Sequence, residues 1–188
     1  MVDSNSGASA QIDRFIHDGL PPVSQWPEFQ YPATDEMPPT HLNLVVELLD
    51  KACSKGWADL PLLRSPKIVL SYNDVLDRVN RIAQVLTEDL KLVPGNRVLL
   101  RGSNSIGLCL SWLAVVKAGL IAVSTMPLLR ASELGDIIAK AQPTVALCDN
   151  KLLDEHNNAK RLQPVLQTIV PFNTITDPEG LARKKKKK

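Results

Sequence analysis

The segment Arg101–Gly107 has the composition of a phosphate-binding loop. It reads RGSNSIG and separates a short apolar run from a longer one, so a strand would precede it and a helix would follow. Its two glycines are spaced as in the pattern GxxxxGK[ST], but Leu108 and Cys109 stand where that pattern requires Lys and Ser or Thr. A helix N-terminus can still attract an anion. We favour a plain strand-to-helix turn at this position.

Other side chains that could carry chemistry are scattered. The cysteines and histidines lie far apart, without a CxxC pair or a metal-ligand spacing: Cys53, Cys109, Cys148, His17, His41 and His156. No serine has a G-x-S-x-G context and no G-x-G-x-x-G occurs. Asp74 and Asp77 are better explained as a helix cap and a solvated helix face. We therefore expect no catalytic, cofactor-binding or metal-binding residue in these 188 residues.

Hydrophobic periodicity predicts alternating strands and helices from residue 43 onward. Ser71 with Asp74 resembles a capping box, and it opens an amphipathic helix that ends before Pro94. Further helices are predicted at 43–55, 106–118, 131–142 and 151–161, strands at 97–100, 120–124, 144–148 and 166–170, and a hairpin at 62–70. Short, continuously apolar strands that alternate with helices are typical of parallel sheets. The predicted fold class is α/β, with a partial doubly wound, mostly parallel sheet and helices on both faces.

The first 41 residues have a different composition. They are rich in proline, which fixes φ and removes a backbone donor, so regular structure is not expected. Large apolar side chains are interspersed, and a disordered tail would rarely hold so many: Phe15, Leu20, Trp26, Phe29 and Tyr31. The sequence thus predicts an extended arm over 1–41 that lies on a globular surface and inserts its aromatic side chains into it. A domain over 42–182 and a basic tail over 183–188 follow.

The formal net charge of +2 depends on the five terminal lysines, Lys184–Lys188. Without them, 17 basic residues face 20 acidic ones, a net charge of −3, so no nucleic-acid partner is expected. AAA encodes lysine, and translation into a poly(A) tail gives a pure lysine run. We hypothesise that the tail is an artefact of a prematurely polyadenylated transcript or of cloning.

Residues 107–129 are apolar enough to suggest a membrane span. Lys117 interrupts them, at a cost of about 2.5–3.5 kcal/mol in a bilayer, and Gly119 and Pro127 divide the run. A buried helix followed by a buried strand is therefore predicted instead of a membrane span. The N-terminus lacks the basic start and apolar run of a secretory signal. With its dispersed cysteines, the chain is expected to be cytoplasmic.

Five short segments between about residue 42 and residue 149 have the form of signature motifs: Ser71–Val75, Val93–Val98, Asn104–Ser105, Trp112–Gly119, and Pro127 with Ala131–Leu134. In that order they resemble the motifs T-Y-x-E-L, G-x-x-x-G-D-R-V, N-S or N-N, L-A-x-x-K-A-G and P…x-x-E-L of the AMP-binding, adenylate-forming acyl-CoA synthetase family. They also keep that family's order and spacing. Asn96 replaces the commoner Asp of the second motif.

Three further segments are most similar to 2-aminobenzoate- and benzoate-type CoA ligases. They are Asp13–Phe15, Leu20–Pro27 and Met126–Arg130. The resemblance implies a two-step reaction. A carboxylate attacks the α-phosphate of ATP to give an acyl-adenylate and pyrophosphate, and the thiol of CoA then displaces AMP.

The resemblance also implies that the working residues lie elsewhere. The family's phosphate loop, its aromatic–Gly–x–Thr–Glu segment, its ribose-binding Asp, its hinge and its catalytic Lys would follow Lys188, and none occurs before it. We expect an inactive N-terminal fragment without a cofactor, whereas ATP, Mg, CoA and an aromatic carboxylic acid are expected in a full-length form. Two alternatives remain: a non-catalytic interaction module that uses the arm or an open sheet edge, and a small flavodoxin-like nucleotide binder.

Overall fold

The computed structural model describes residues 10–28 and 41–173, and the terminal lysines lie outside these ranges. The elements follow in this order: α1 (Phe15–Asp18), β1 (Pro61–Arg64), β2 (Val69–Ser71), α2 (Tyr72–Gln84), β3 (Arg97–Arg101), α3 (Ile106–Lys117), β4 (Ile121–Thr125), α4 (Ala131–Ala141), β5 (Val145–Asp149), α5 (Leu153–Leu162) and β6 (Thr168–Phe172). Short helical turns are added at Val23–Gln25, Val46–Asp50, Cys53–Trp57, Val85–Asp89 and Asn150–Leu152.

A parallel sheet of four strands, in the order β4-β3-β5-β6, forms the centre of the described part. Leu99 in the middle of β3 pairs with Val123 on one side and with Ala146 on the other. Every residue of β3 and β5 is buried. The apolar runs Val98–Leu100 of β3 and Val145–Cys148 of β5 reflect this position, because a central parallel strand is covered on both faces. The predicted α/β fold class is confirmed.

The helices divide between the two faces of the sheet. Successive side chains of a strand point to opposite faces. Val98 and Leu100 of β3 accordingly join the core that includes residues of α2 and α3, whereas Leu99 between them joins the core of α4 and α5. The larger core also receives β1 and β2, which pair as the predicted antiparallel hairpin. Strand β3 therefore contributes side chains to both cores.

Helix α2 begins at the predicted capping box. The Ser71 hydroxyl accepts the Asp74 N–H at 3.1 Å, and the Asp74 carboxylate accepts the Ser71 N–H at 3.0 Å. Such a cap stabilises a helix by about 1 kcal/mol. The apolar face of this amphipathic helix is buried at Val75, Val79, Ile82 and Ala83, the first two fully enclosed.

The apolar stretch 107–129 folds as helix α3 followed by strand β4, as the sequence predicted. Within residues 10–28 and 41–173, every helix is too short or too polar to span a bilayer. The other predicted elements are present with ends shifted by a few residues. At 43–55, where the sequence predicted one regular helix, the structure has π-helical turns at Val46–Asp50 and from Cys53 onward, and the helical backbone is interrupted at Gly56, whose φ is 90°.

The described part of the arm differs from the extended chain predicted by its prolines. Residues 15–18 form one helical turn, and a 3₁₀ turn follows at Val23–Gln25. Phe15 and Trp26 keep 42% of their surface exposed, so these side chains are not inserted into the core. The predicted contacts of Phe29 and Tyr31 lie outside the described residues.

The arm is nevertheless attached to the amino edge of the sheet. The N–H groups of Ile12 and Asp13 both donate to the Pro94 carbonyl at 2.9 Å. The Asp13 carboxylate accepts hydrogen bonds from Asn96, at 2.7 Å, and from Arg97. This polar attachment fixes the arm where β3 begins.

Candidate functional site

The strand order defines a switch point at the carboxyl edge of the sheet. From β3 the chain crosses to β4 on one side, and from β4 it returns across β3 to β5 on the other side. Ligands of open α/β sheets bind in the crevice outside such a point. Here the crevice lies beyond Arg101 of β3 and Asp149 of β5. We take this edge, with the loops that follow the strands, as the candidate site.

The loop after β3 is the strand-to-helix turn favoured from the sequence. The Ser105 hydroxyl caps α3 by accepting the Leu108 N–H at 3.1 Å. The ring of Phe172 lies against both glycines, since a Cβ atom added at Gly102 or at Gly107 would be only 3.0 Å from a ring carbon. The glycine spacing that resembled a phosphate loop therefore accommodates an aromatic ring.

An open cavity of about 360 Å³ adjoins this loop. It lies between the loop, the first turns of α3 and the end of β4, and its lining residues are Asn104, Ser105, Leu108, Cys109, Trp112 and Ser124. This volume is in the range of small-molecule sites. Burial raises the pKa of the Cys109 thiol, so this group is not an activated nucleophile.

Arg101 is the most unusual residue of the edge, because its charged side chain is only 1% exposed. The guanidinium donates to the carbonyl oxygens of Leu129 at 2.6 Å, Pro127 at 2.8 Å and Leu152 at 3.2 Å. Burial lowers the pKa of Arg101. Within the described residues no carboxylate lies at ion-pair distance from it, and its charge is compensated by these carbonyl dipoles and by the more distant charge of Glu155.

Two further buried groups lie near this arginine. His156 of α5 is completely buried, and neither ring nitrogen has a hydrogen-bond partner among the described residues. Burial, and then the charge of Arg101, lower the pKa of His156 to about 4. Burial raises the pKa of the Cys148 thiol to about 12. At neutral pH these shifts keep the imidazole uncharged and the thiol protonated.

The edge thus contains buried polar groups, of which Arg101 contacts the loops around it. In the described part of the chain, no group of three or more His, Cys, Asp or Glu residues could hold a metal ion. The expectation of no catalytic or cofactor-binding residue remains a prediction. Sequence reasoning missed the cluster of Arg101, Cys148 and His156. The sequence offered two signals of this cluster: an arginine at the end of an apolar strand, and a histidine on the inner face of α5.

The fold and its switch point define a doubly wound α/β domain. Residues 49–188 match the family of AMP-binding enzymes, and the chain belongs to that family. Its α/β sheet corresponds to the N-terminal domain of adenylate-forming ligases.

Solved structures with this fold include two aryl-CoA ligases. An anthranilate CoA ligase in complex with anthranoyl-AMP superimposes with a TM-score of 0.69 at 23% identity, over 78% of this chain and 28% of that one. A benzoate CoA ligase from Burkholderia xenovorans gives a TM-score of 0.66 at 16% identity, over 76% of this chain and 28% of that one. At these identities the similarity shows the fold.

One curated relative is similar in sequence over a shorter range. A carboxylic acid reductase of Mycobacterium marinum is 32% identical over 76 residues, which is 40% of this chain and 6% of that protein. The chain therefore spans less than a third of the length of these relatives.

Proposed function

We propose that these residues are the N-terminal part of an ATP-dependent acid–CoA ligase. In the proposed reaction a carboxylate and ATP form an acyl-adenylate and pyrophosphate, and CoA converts the adenylate to acyl-CoA and AMP. The observation that carries the proposal is the match to AMP-binding enzymes, which includes the entire parallel sheet. Carboxylic acid, ATP and Mg, and CoA are the proposed ligands of the longer protein.

The proposed acid is aromatic. Two observations support this choice. The arm and the segment Met126–Arg130 resemble those of 2-aminobenzoate- and benzoate-type ligases. Two solved structures with the same fold are named as anthranilate and benzoate CoA ligases. A cytoplasmic location forms part of the proposal and is supported by three unpaired cysteines, which fit a reducing compartment.

We further propose that the 188-residue chain does not activate an acid on its own. Phosphoryl chemistry requires placed donors, cations and a metal ion around the phosphates. The sequence contains no Ser/Thr/Gly-rich loop ending in lysine. The one buried cation of the candidate site, Arg101, is engaged by three backbone carbonyls.

Pyrophosphate release from the purified chain tests this proposal. The chain is incubated with ATP, Mg²⁺ and CoA, with benzoate or 2-aminobenzoate as the acid and an active aryl-CoA ligase as the positive control. We expect no release above background. Acid-dependent release by the 188-residue chain would contradict the proposal.

Titration with ATP distinguishes the proposed ligase fragment from the alternative of a small flavodoxin-like nucleotide binder. A flat titration is expected, whereas saturable binding of a mononucleotide would favour that alternative. Genomic DNA beyond codon 183 provides an independent test. We expect an open reading frame that encodes a Ser/Thr-Gly-rich loop ending in Pro-Lys-Gly, and a stop codon after an encoded lysine run would contradict the proposal.

A further inference from the structure

The hydrogen bonds of Arg101 divide between two loops. Its Nη2 atom donates only to the loop between β4 and α4, at the carbonyls of Pro127 and Leu129. Its Nη1 atom donates only to the turn after β5, at the carbonyl of Leu152. Since Arg101 itself is the last residue of β3, one side chain joins the carboxyl ends of three adjacent strands.

A packing role alone does not account for this arginine. A buried cation without a carboxylate partner is costly, and an apolar side chain would fill the same space without that cost. What an apolar side chain cannot do is bind three carbonyl oxygens that converge from two loops. The planar guanidinium presents several donors in a fixed geometry, and an ammonium group on a flexible stem does not.

We propose that Arg101 is a positioning residue that holds the loops 126–130 and 150–152 at the carboxyl edge and thereby sets the shape of the crevice at the switch point. The identity of the ligands in the crevice rests on the proposed function, because a ligase would bind its substrates there. The positioning itself is a property of the described residues, so it is testable in this chain without a substrate.

Arg97 offers a matched control at the opposite end of the same strand. It is also buried, at 7% exposure, and it also donates to backbone carbonyls, those of Ala141, Gln142 and Gly95. Its partners lie at the amino edge. Replacement of either arginine should therefore destabilise the whole fold. Only replacement of Arg101 should loosen the loops at the carboxyl edge.

Amide hydrogen exchange, measured residue by residue in the 188-residue chain, is the test. Two amides report on the loops: the Ala131 N–H, bonded to the Glu155 carboxylate at 2.8 Å, and the Lys151 N–H, bonded to the Asp149 carboxylate at 3.1 Å. In Arg101→Met we expect both to exchange about tenfold faster or more, since hydrogen bonds to charged groups are worth about 1.5–3 kcal/mol. Amides in the middle of β3 and β5 should keep their protection.

Two further variants make the result decisive. Arg101→Lys, which keeps the charge and some donors, should give intermediate rates, and Arg97→Met should leave the two reporters unchanged. The inference is overturned by wild-type reporter rates in Arg101→Met, or by equal acceleration in Arg97→Met. If Arg101→Met does not fold, Arg101→Lys decides alone, because wild-type rates in that variant also overturn the inference. Pyrophosphate release is not involved, so failure of the proposed function would leave this result intact.

Discussion

Asp13 in the N-terminal arm forms an ion pair with Arg97, the first residue of β3, across 84 positions of sequence. The Arg97 side chain is 8% exposed and the Asp13 side chain 23%, so water screens the pair only partly. The same guanidinium lies over the ring of Phe15, 4.3 Å from its centroid. Burial would raise the pKa of Asp13, but hydrogen bonds from the Phe15 N–H, Arg97 and Asn96 together lower it.

Replacement of Asp13 by alanine should weaken the attachment of the arm. It removes the acceptor of Arg97 and Asn96, so we expect a loss of about 1–2 kcal/mol in the free energy of unfolding. Urea unfolding at neutral pH measures the change. Arg14→Ala serves as the control, because its ion pair with Asp18 is exposed and such pairs contribute little. Equal effects of the two substitutions would contradict a specific role for Asp13.

Gly95→Ala should displace the arm by a different mechanism. A Cβ atom at this position would lie 2.2 Å from the Asp13 carbonyl oxygen, and the backbone φ of 93° is unfavourable for alanine. Gly119→Ala is the matched control, because its φ is also positive, at 72°, but the added atom meets only Pro94, at 3.4 Å. Both variants should lose about 1–2 kcal/mol from backbone strain. Only Gly95→Ala should make residues 10–28 accessible to limited proteolysis. Equal cleavage of both variants would contradict the predicted clash between the added Cβ atom and the Asp13 carbonyl oxygen.

His156 should make the protein sensitive to mild acid. The folded-state pKa of about 4 lies below the ordinary value of 6.5. Between these values the unfolded chain binds a proton that the folded chain does not. Stability is therefore fully present above pH 6.5 and is lost as the pH falls toward 4, by about 3 kcal/mol at most. Urea unfolding between pH 7 and 4 should show this slope.

Two variants isolate the contribution of the buried imidazole. His156→Leu removes the titrating group and should flatten the profile between pH 6.5 and 4. His17→Gln, in the exposed arm turn, should keep the wild-type slope. An unchanged slope in His156→Leu would show that other groups cause the acid sensitivity.

The alternation of apolar strands and helices was sufficient to predict the fold class. Continuous apolar runs such as Val145–Cys148 indicate buried parallel strands, and the pair of Ser71 and Asp74 marks a helix start, because both signals are local. The site was less accessible from sequence. The three carbonyls that engage Arg101 come from residues 26 to 51 positions away, so no local pattern records them.

The glycine spacing of the loop after β3 shows the same limit. Gly102 and Gly107 suggested a phosphate loop by their separation, yet the partner that explains them, Phe172, lies on the last strand of the described sheet. A long-range packing contact can thus reproduce the spacing of a functional motif. The missing lysine after the second glycine was the sequence signal that favoured the structural interpretation.

A double-mutant cycle between Gly102 and Phe172 tests this explanation. Phe172 is 4% exposed, and Phe172→Ala should lose about 3–5 kcal/mol by leaving a cavity. Gly102→Ala should also destabilise, because the ring must move to admit a methyl group at 3.0 Å. In the double mutant the methyl group enters space that the ring has vacated, so its cost should disappear. Urea unfolding should then show that the double mutant loses less stability than the sum of the two single mutants. We expect a difference of about 0.5–1 kcal/mol or more, which exceeds the deviation from additivity seen for independent sites. Additive effects of the two substitutions would contradict the explanation.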